Sequence, residues 1–239
     1  MKPEIFSHHH VSIVYDADRI AEAHADLLRI GYWQRRNAVT GEARGRGNTT
    51  FLAAPFGTVA LREYRRGGWA ARISNDRYVY LGLQRSRPFR EFYLLARLLA
   101  DGFPVPAPIA AMCERHGFFY GGALMTGLLQ DVMTLAEIMQ AGIPQQDALI
   151  ATGAVVRKFH DGGLWHADLN VRNILVNPAE MRVFLIDFDR CRYRPGHRVD
   201  GLENLKRLRR SIDKLFVNAA QGQSEKSWTA IMQGYRGGN

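Results

Sequence analysis

The 239 residues carry 32 Lys and Arg against 23 Asp and Glu, a formal net charge of +9 at neutral pH. Apolar residues at 46% and charged residues at 23% are ordinary for a soluble globular protein and unlike a disordered or fibrous chain. No apolar run approaches bilayer length, no signal-peptide core opens the sequence, and the two cysteines, Cys113 and Cys191, have no motif spacing, which excludes a spanning helix and a disulfide framework and points to a reducing, cytoplasmic protein.

This length suits one substantial core or two small lobes. The basic residues divide into 27 Arg and 5 Lys. Codon composition in a GC-rich genome explains that bias, and so does a need for guanidinium groups that bind phosphate or carboxylate through two hydrogen bonds. A basic surface also favours a polyanionic substrate, an anionic membrane face or nucleic acid.

In chain order, residues 8–36 mix strand-like and helical pattern, with Ile20, His24, Leu27 and Leu28 on one helical face. His8-His9-His10 has no supporting ligand spacing and reads as structural. Thr40 to Thr50 is rich in Arg and Gly. Within it Gly45 and Gly47 read either as a short loop whose N–H groups approach phosphate or as a plain turn. No G-x-x-x-x-G-K-[ST] occurs, which removes a P-loop enzyme. Thr58 to Tyr64 alternates as a strand and is ended by Arg66-Gly67-Gly68. Phe89 to Leu99 is an amphipathic helix stopped by Asp101-Gly102, and Pro104, Pro106 and Pro108 make the next connection extended. Phe118–Tyr120 and Ala123–Thr126 read as two strands of a hairpin around Gly121-Gly122. Leu135 to Gln140, Asp147 to His160 and Gly201 to Val217 are predicted helices. Strands with one helix, then mostly helices, suit an α+β bilobal fold better than alternating βα units, with a strand-rich lobe over 1–127 and a helical lobe over 128–239.

The stretch Leu164 to Arg190 carries the chemistry. His166-Ala-Asp168-Leu-Asn170-Val-Arg-Asn173 has the form H-x-D-x-x-x-x-N, and Asp187 follows the apolar run Val183 to Ile186. Asp168 is placed to take a proton from an acceptor hydroxyl, His166 to brace the loop, and Asn173 and Asp187 to hold Mg²⁺ against the phosphates of ATP. Each of these residues alone is also an ordinary turn or strand-end residue. Together, at this spacing, they match protein-kinase-like phosphotransferases. Such enzymes place a lysine on a strand of the first lobe, yet no lysine lies between Lys2 and Lys158. Arg62 is the substitute cation, with Glu91 on the following helix as its partner. The alternative is a solvated strand arginine and an exposed helix glutamate.

These motifs, with Leu61-Arg62-x-Tyr-Arg65-Arg66-Gly67-Gly68 and Gly102-Phe-Pro104-Val-Pro106-x-Pro108, resemble the 3-deoxy-D-manno-octulosonic acid (Kdo) kinase family of the lipopolysaccharide-core group, from about Gly45 to Arg194. The resemblance implies ATP-dependent phosphorylation of the 4-hydroxyl of a Kdo residue on Kdo-lipid IVA. It also implies a peripheral protein on the cytoplasmic face of a Gram-negative inner membrane, with no nucleic acid partner. By matching position, Asp168 is the base, Asn173 and Asp187 are metal ligands, and Arg62 contacts nucleotide phosphate. Ala167 in place of the arginine of protein kinases, Asp189 in place of the glycine of Asp-Phe-Gly, and the lack of an Ala-Pro-Glu segment argue against switching by phosphorylation and against peptide docking. Arg65, Arg66, Arg172, Arg190, Arg192 and Arg194 flank the motifs and would suit an anionic acceptor. The helix Gly201 to Val217 carries Lys206, Arg207, Arg209, Arg210 and Lys214 opposite its apolar stripe, and reads either as a core helix with a solvated face or as an interfacial one. A kinase acting on an aminoglycoside or a heptose, or a basic pseudokinase, are the competing readings.

Overall fold

The computed structural model describes residues 1–43, 49–64, 78–141, 146–217 and 222–237. Contacts divide the chain into two compact units, Met1–Asp101 with Pro106–Leu128, and Gly102–Val105 with Leu129–Asn239. Gly45, Gly47 and the segment Arg65 to Gly68 lie outside the described residues.

The first unit is built on an antiparallel sheet. Its strands are β1 (Pro3–His8), β2 (Val11–Asp16), β3 (Val39–Glu42), β4 (Thr49–Ala54), β5 (Gly57–Glu63), β6 (Tyr78–Val79), β7 (Pro108–His116) and β8 (Phe119–Gly127), with a short helix α1 (Ile30–Gln34) before β3. The order is β1-β2-β7-β8-β5-β4-β3, and β6 pairs with β8. Strand alternation sends Val11, Ile13 and Tyr15 of β2, Val59 and Leu61 of β5, and Ala123 and Met125 of β8 into one core with Ile20, Leu27, Leu28 and Trp33. His9, in the left-handed region at φ 53°, makes the β1–β2 turn, and His10 bonds Glu114 at 3.1 Å.

Two sequence readings need correction here. The predicted helical face over Ile20 to Leu28 is a chain of turns: Asp16 O accepts from Ile20 N at 2.9 Å, and His24 O from Leu27 N at 3.0 Å. Ile20, Leu27 and Leu28 are buried as the pattern requires. However, the Asp16 side chain takes the N–H groups of Lys2 and Asp18 and holds the chain in a turn where a helix would begin. The second correction concerns Gly121-Gly122, which do not turn. They run through the middle of β8, and the hairpin bend lies earlier, at Gly117-Phe118. Gly122 is a close-approach glycine: a Cβ there would lie 2.5 Å from Met112 O and from Pro88 Cγ.

Across the sheet from that core, α2 (Arg87–Ala100) has Pro88 in its first turn and buries Phe89, Phe92, Leu95 and Leu98. It ends at Asp101 and at Gly102, φ 77°.

In the second unit, β9 (Met133–Thr134) leads into α3 (Leu135–Gln140) through a capping box of Thr134 and Glu137. There follow α4 (Gln146–Asp161), β10 (Leu164–Trp165), β11 (Ile174–Asn177), β12 (Arg182–Leu185), β13 (Arg192–Tyr193), α5 (Leu202–Leu215) and α6 (Gln223–Gly237). Strands β12-β11-β9 form one small sheet and β10-β13 another. Of the Pro-rich segment, Gly102–Val105 belongs to this unit: Phe103 stacks on Phe159 at 4.9 Å, and Pro104 O accepts from Leu185 N at 3.2 Å. Helix α6 was not foreseen in the sequence, where two glycines interrupt a polar stretch. Gly234 of α6 and Gly153 of α4 let the two helices meet backbone to backbone, because a Cβ at Gly234 would lie 1.8 Å from Ile150 O and one at Gly153 1.9 Å from Ile231 O.

Candidate active site

The second unit holds the H-x-D-x-x-x-x-N loop between β10 and β11. Register explains why its ends meet. In the β11–β12 hairpin Ile174 faces Leu185, and one step further Asn173 O accepts from Ile186 N at 3.0 Å. Asn173 and Asp187 therefore flank one end of the hairpin. Asp187 itself is in the left-handed region at φ 64°, a conformation that Asp tolerates better than most residues.

His166 joins the two motifs. It is buried, its Nδ1 accepts from Asp168 N at 3.2 Å, and its Nε2 lies 3.1 Å from Ile186 O. A backbone N–H donates only to an unprotonated ring nitrogen, so the proton sits on Nε2 and is given to the Ile186 carbonyl. Burial holds the imidazole below its ordinary value and outweighs the Ile186 hydrogen bond and the nearby Asp187 and Asp168 charges. A neutral His166 thus ties the backbone of Asp168 to the residue just before Asp187. The Phe188 ring packs against the imidazole at 5.3 Å.

Asp168 is half exposed, as a proton acceptor must be. Its carbonyl oxygen takes the Asn173 amide N–H at 2.9 Å and the Asn170 amide N–H at 3.0 Å. Its carboxylate takes Asn170 Nδ2 on Oδ2 and Arg207 on Oδ1, both at 3.1 Å. With Nδ2 of Asn173 committed, the amide oxygen is the atom that residue offers a cation. An amide oxygen and the Asp187 carboxylate are the hard oxygen donors that suit Mg²⁺ held jointly with phosphate. Among the described residues no three His, Cys, Asp or Glu side chains gather as a cage for a metal.

A second layer escaped the sequence reading. Asn204 of α5 is buried, accepts from His166 N at 3.0 Å and donates to His166 O at 2.7 Å. The same Asn204 Oδ1 takes the Nε2 proton of His160 at 3.1 Å, leaving His160 Nδ1 to accept from the Tyr235 hydroxyl at 2.9 Å. Burial also keeps His160 below its ordinary value. Ser211 Oγ accepts from Val171 N at 3.2 Å, and Cys191 Sγ from Ala167 N at 3.3 Å. Only spatial proximity reveals these partners, which lie up to 75 residues away in sequence.

In the first unit Arg62 of β5 donates to Glu91 Oε2 of α2 at 2.6 Å. Glu91 is 3% exposed and Arg62 25%. Tyr64, two residues on and on the same strand face, donates its hydroxyl to the same Glu91 oxygen and accepts from Arg62 at 3.3 Å. Burial and the neighbouring carboxylate hold the Tyr64 phenol well above its usual value, so it stays a neutral donor. The period of two in this strand already carried the signal for Tyr64.

Comparison with known proteins is consistent across sequence and structure. Residues 31–235 match the model of the lipopolysaccharide kinase (Kdo/WaaP) family. A 3-deoxy-D-manno-octulosonic acid kinase of Xanthomonas axonopodis pv. citri is 41% identical over 227 residues, covering 94% of this chain and 89% of that protein. One of Vibrio vulnificus is 37% identical over 225 residues, covering 93% and 94%. Among solved structures, WaaP in complex with acyl carrier protein superposes with a TM-score of 0.53 at 15% identity, over 86% of this chain and 82% of that one. That likeness assigns a kinase-like α+β fold.

Proposed function

The chain belongs to the lipopolysaccharide kinase (Kdo/WaaP) family, and from that premise we propose that it is an ATP-dependent kinase phosphorylating Kdo during assembly of the lipopolysaccharide core. The acceptor we infer is the 4-hydroxyl of a Kdo residue on Kdo-lipid IVA, met at the cytoplasmic face of the inner membrane by a peripherally bound protein. The observation that carries the reading is the bracing of Asp168 and the residue before Asp187 by one neutral imidazole, with the Asn173 amide bonded to the Asp168 carbonyl.

In this reading Asp168 accepts the proton of the acceptor hydroxyl as its oxygen bonds to the γ-phosphorus. The bond from that phosphorus to the bridging oxygen breaks, and ADP leaves. Asn173 and Asp187 would hold Mg²⁺, which would supply positive charge against the phosphates. His166 positions the loop and takes no proton, since both of its nitrogens are committed. In the first unit Arg62, fixed by Glu91 and Tyr64, contacts nucleotide phosphate.

The test is transfer from ATP to Kdo-lipid IVA, read as the gain of one phosphate by mass spectrometry. Asp168→Ala should lower kcat by roughly 10²- to 10⁴-fold, with an unchanged circular dichroism spectrum. Arg62→Ala should act mainly on the KM for ATP. Wild-type kcat in Asp168→Ala would refute the base assignment. Phosphorylation of a heptose or an aminoglycoside but not of Kdo would leave a kinase and remove the Kdo reading.

A further inference from the structure

Helix α5 meets the catalytic loop along one stripe, through Asn204, Arg207 and Ser211, at the spacing of three and four that shares a helix face. Asn204 and Ser211 take up backbone groups at the two ends of the loop, His166 and Val171. Those contacts hold the loop in place. Arg207, between them, does something else: it places a guanidinium nitrogen 3.1 Å from Oδ1 of Asp168.

Structural need does not account for this pair. The Arg207 side chain is 47% exposed and that of Asp168 55%, and so open an ion pair adds little to stability. Two other cations of that helix have partners within one turn: Lys206 pairs with Glu203, and Arg209 with Asp213 as well as with Glu225 of α6. Arg207 reaches 39 residues back to the one carboxylate that must receive a proton. One of its N–H donors is committed there, and a guanidinium carries several more in a planar fork suited to a carboxylate.

A charge argument gives the arrangement its purpose. An acceptor whose hydroxyl sits against ionised Asp168 and whose ring also bears a carboxylate brings two like charges together, which is repulsive unless a cation lies beside both. We propose that Arg207 is the specificity-determining residue for an acidic sugar: it binds the acceptor carboxylate while Asp168 engages the hydroxyl of the same ring. The guanidinium then selects an acid over a neutral sugar and fixes which hydroxyl lies at the base. This rests on the Kdo acceptor argued above.

The experiment compares the Kdo acceptor with its carboxyl methyl ester, using wild type, Arg207→Gln and Arg207→Lys. Wild type should prefer the acid by roughly tenfold or more in kcat/KM. In Arg207→Gln that preference should vanish or invert, because the Asp168 charge now faces the acid alone. Arg207→Lys, with the charge but not the fork, should fall between them. The ratio of acid to ester is the readout, since a variant that merely loosened the loop would lower both rates together. Equal use of acid and ester by wild type, or an unchanged ratio in Arg207→Gln, overturns the assignment of Arg207 and leaves the kinase reading intact. If wild type phosphorylates neither acceptor, the Kdo reading itself fails.

Discussion

At Asn204 one side-chain amide holds the backbone of His166 and the imidazole of His160, and both imidazoles are neutral. Burial holds both below the ordinary imidazole value of 6.5. An unfolded chain binds these protons near that value, whereas the folded chain resists them until lower pH. Stability from the pair is therefore full above about pH 6.5 and is lost as the pH falls through the depressed folded values. Thermal melts should show Tm dropping between about pH 7 and about pH 5, and His160→Gln should flatten that slope by removing one of the two groups. The sequence disclosed this site unevenly. His166, Asp168 and Asn173 stand in one short motif, and strand pattern placed Asp187 beside them. Arg62 and Glu91 were legible as a pair because no lysine was available. Asn204 and Tyr235 were not, since a buried asparagine in a basic helix and a tyrosine near the end of another leave no local mark of what they touch.

Among the elements, the crossing of α4 and α6 is the most exacting, because Gly153 and Gly234 each face the carbonyl oxygen of a residue in the other helix. A side chain at either point must push two backbones apart. Gly153→Val or Gly234→Ala should cost about 3 kcal/mol, toward the upper end of overpacking effects, read from the midpoint of urea unfolding. Gly237→Ala is the control: it lies in the same helix with nothing within 4 Å of a Cβ, and should leave the midpoint nearly unchanged. The predicted helices 89–99, 135–140 and 147–160 lie within α2, α3 and α4, because their apolar periodicity coincides with a buried face. The misread segments share a different cause. Over 20–28 a helical period was met by turns pinned to Asp16, and at Gly121-Gly122 a glycine pair marked a close approach in place of a bend. Periodicity reports which side chains are buried, and other forces decide the backbone that buries them.

For the molecule as a whole, the net charge of +9 bears on the proposed peripheral attachment. No helix among the described residues is long and apolar enough to cross a membrane. Exposed Arg210 and Lys214 of α5 add to a basic surface that anionic lipid would attract. Sedimentation with vesicles should show binding that requires anionic lipid and falls steeply as salt rises from about 0.05 to about 0.3 M; binding that ignores salt would count against an electrostatic contact. The order of the fold along the chain has a further consequence. The loop bearing Asp168 is made before α5 and α6, yet the hydroxyl that steadies His160, and through it the Asn204 amide under His166, belongs to Tyr235, on the last described helix. During synthesis the loop leaves the ribosome before α6 does, and the network around His166 closes only when that helix docks. A half-made chain thus carries every residue of the catalytic motif without that hydroxyl, and the network is complete only once the polypeptide through Tyr235 has been made.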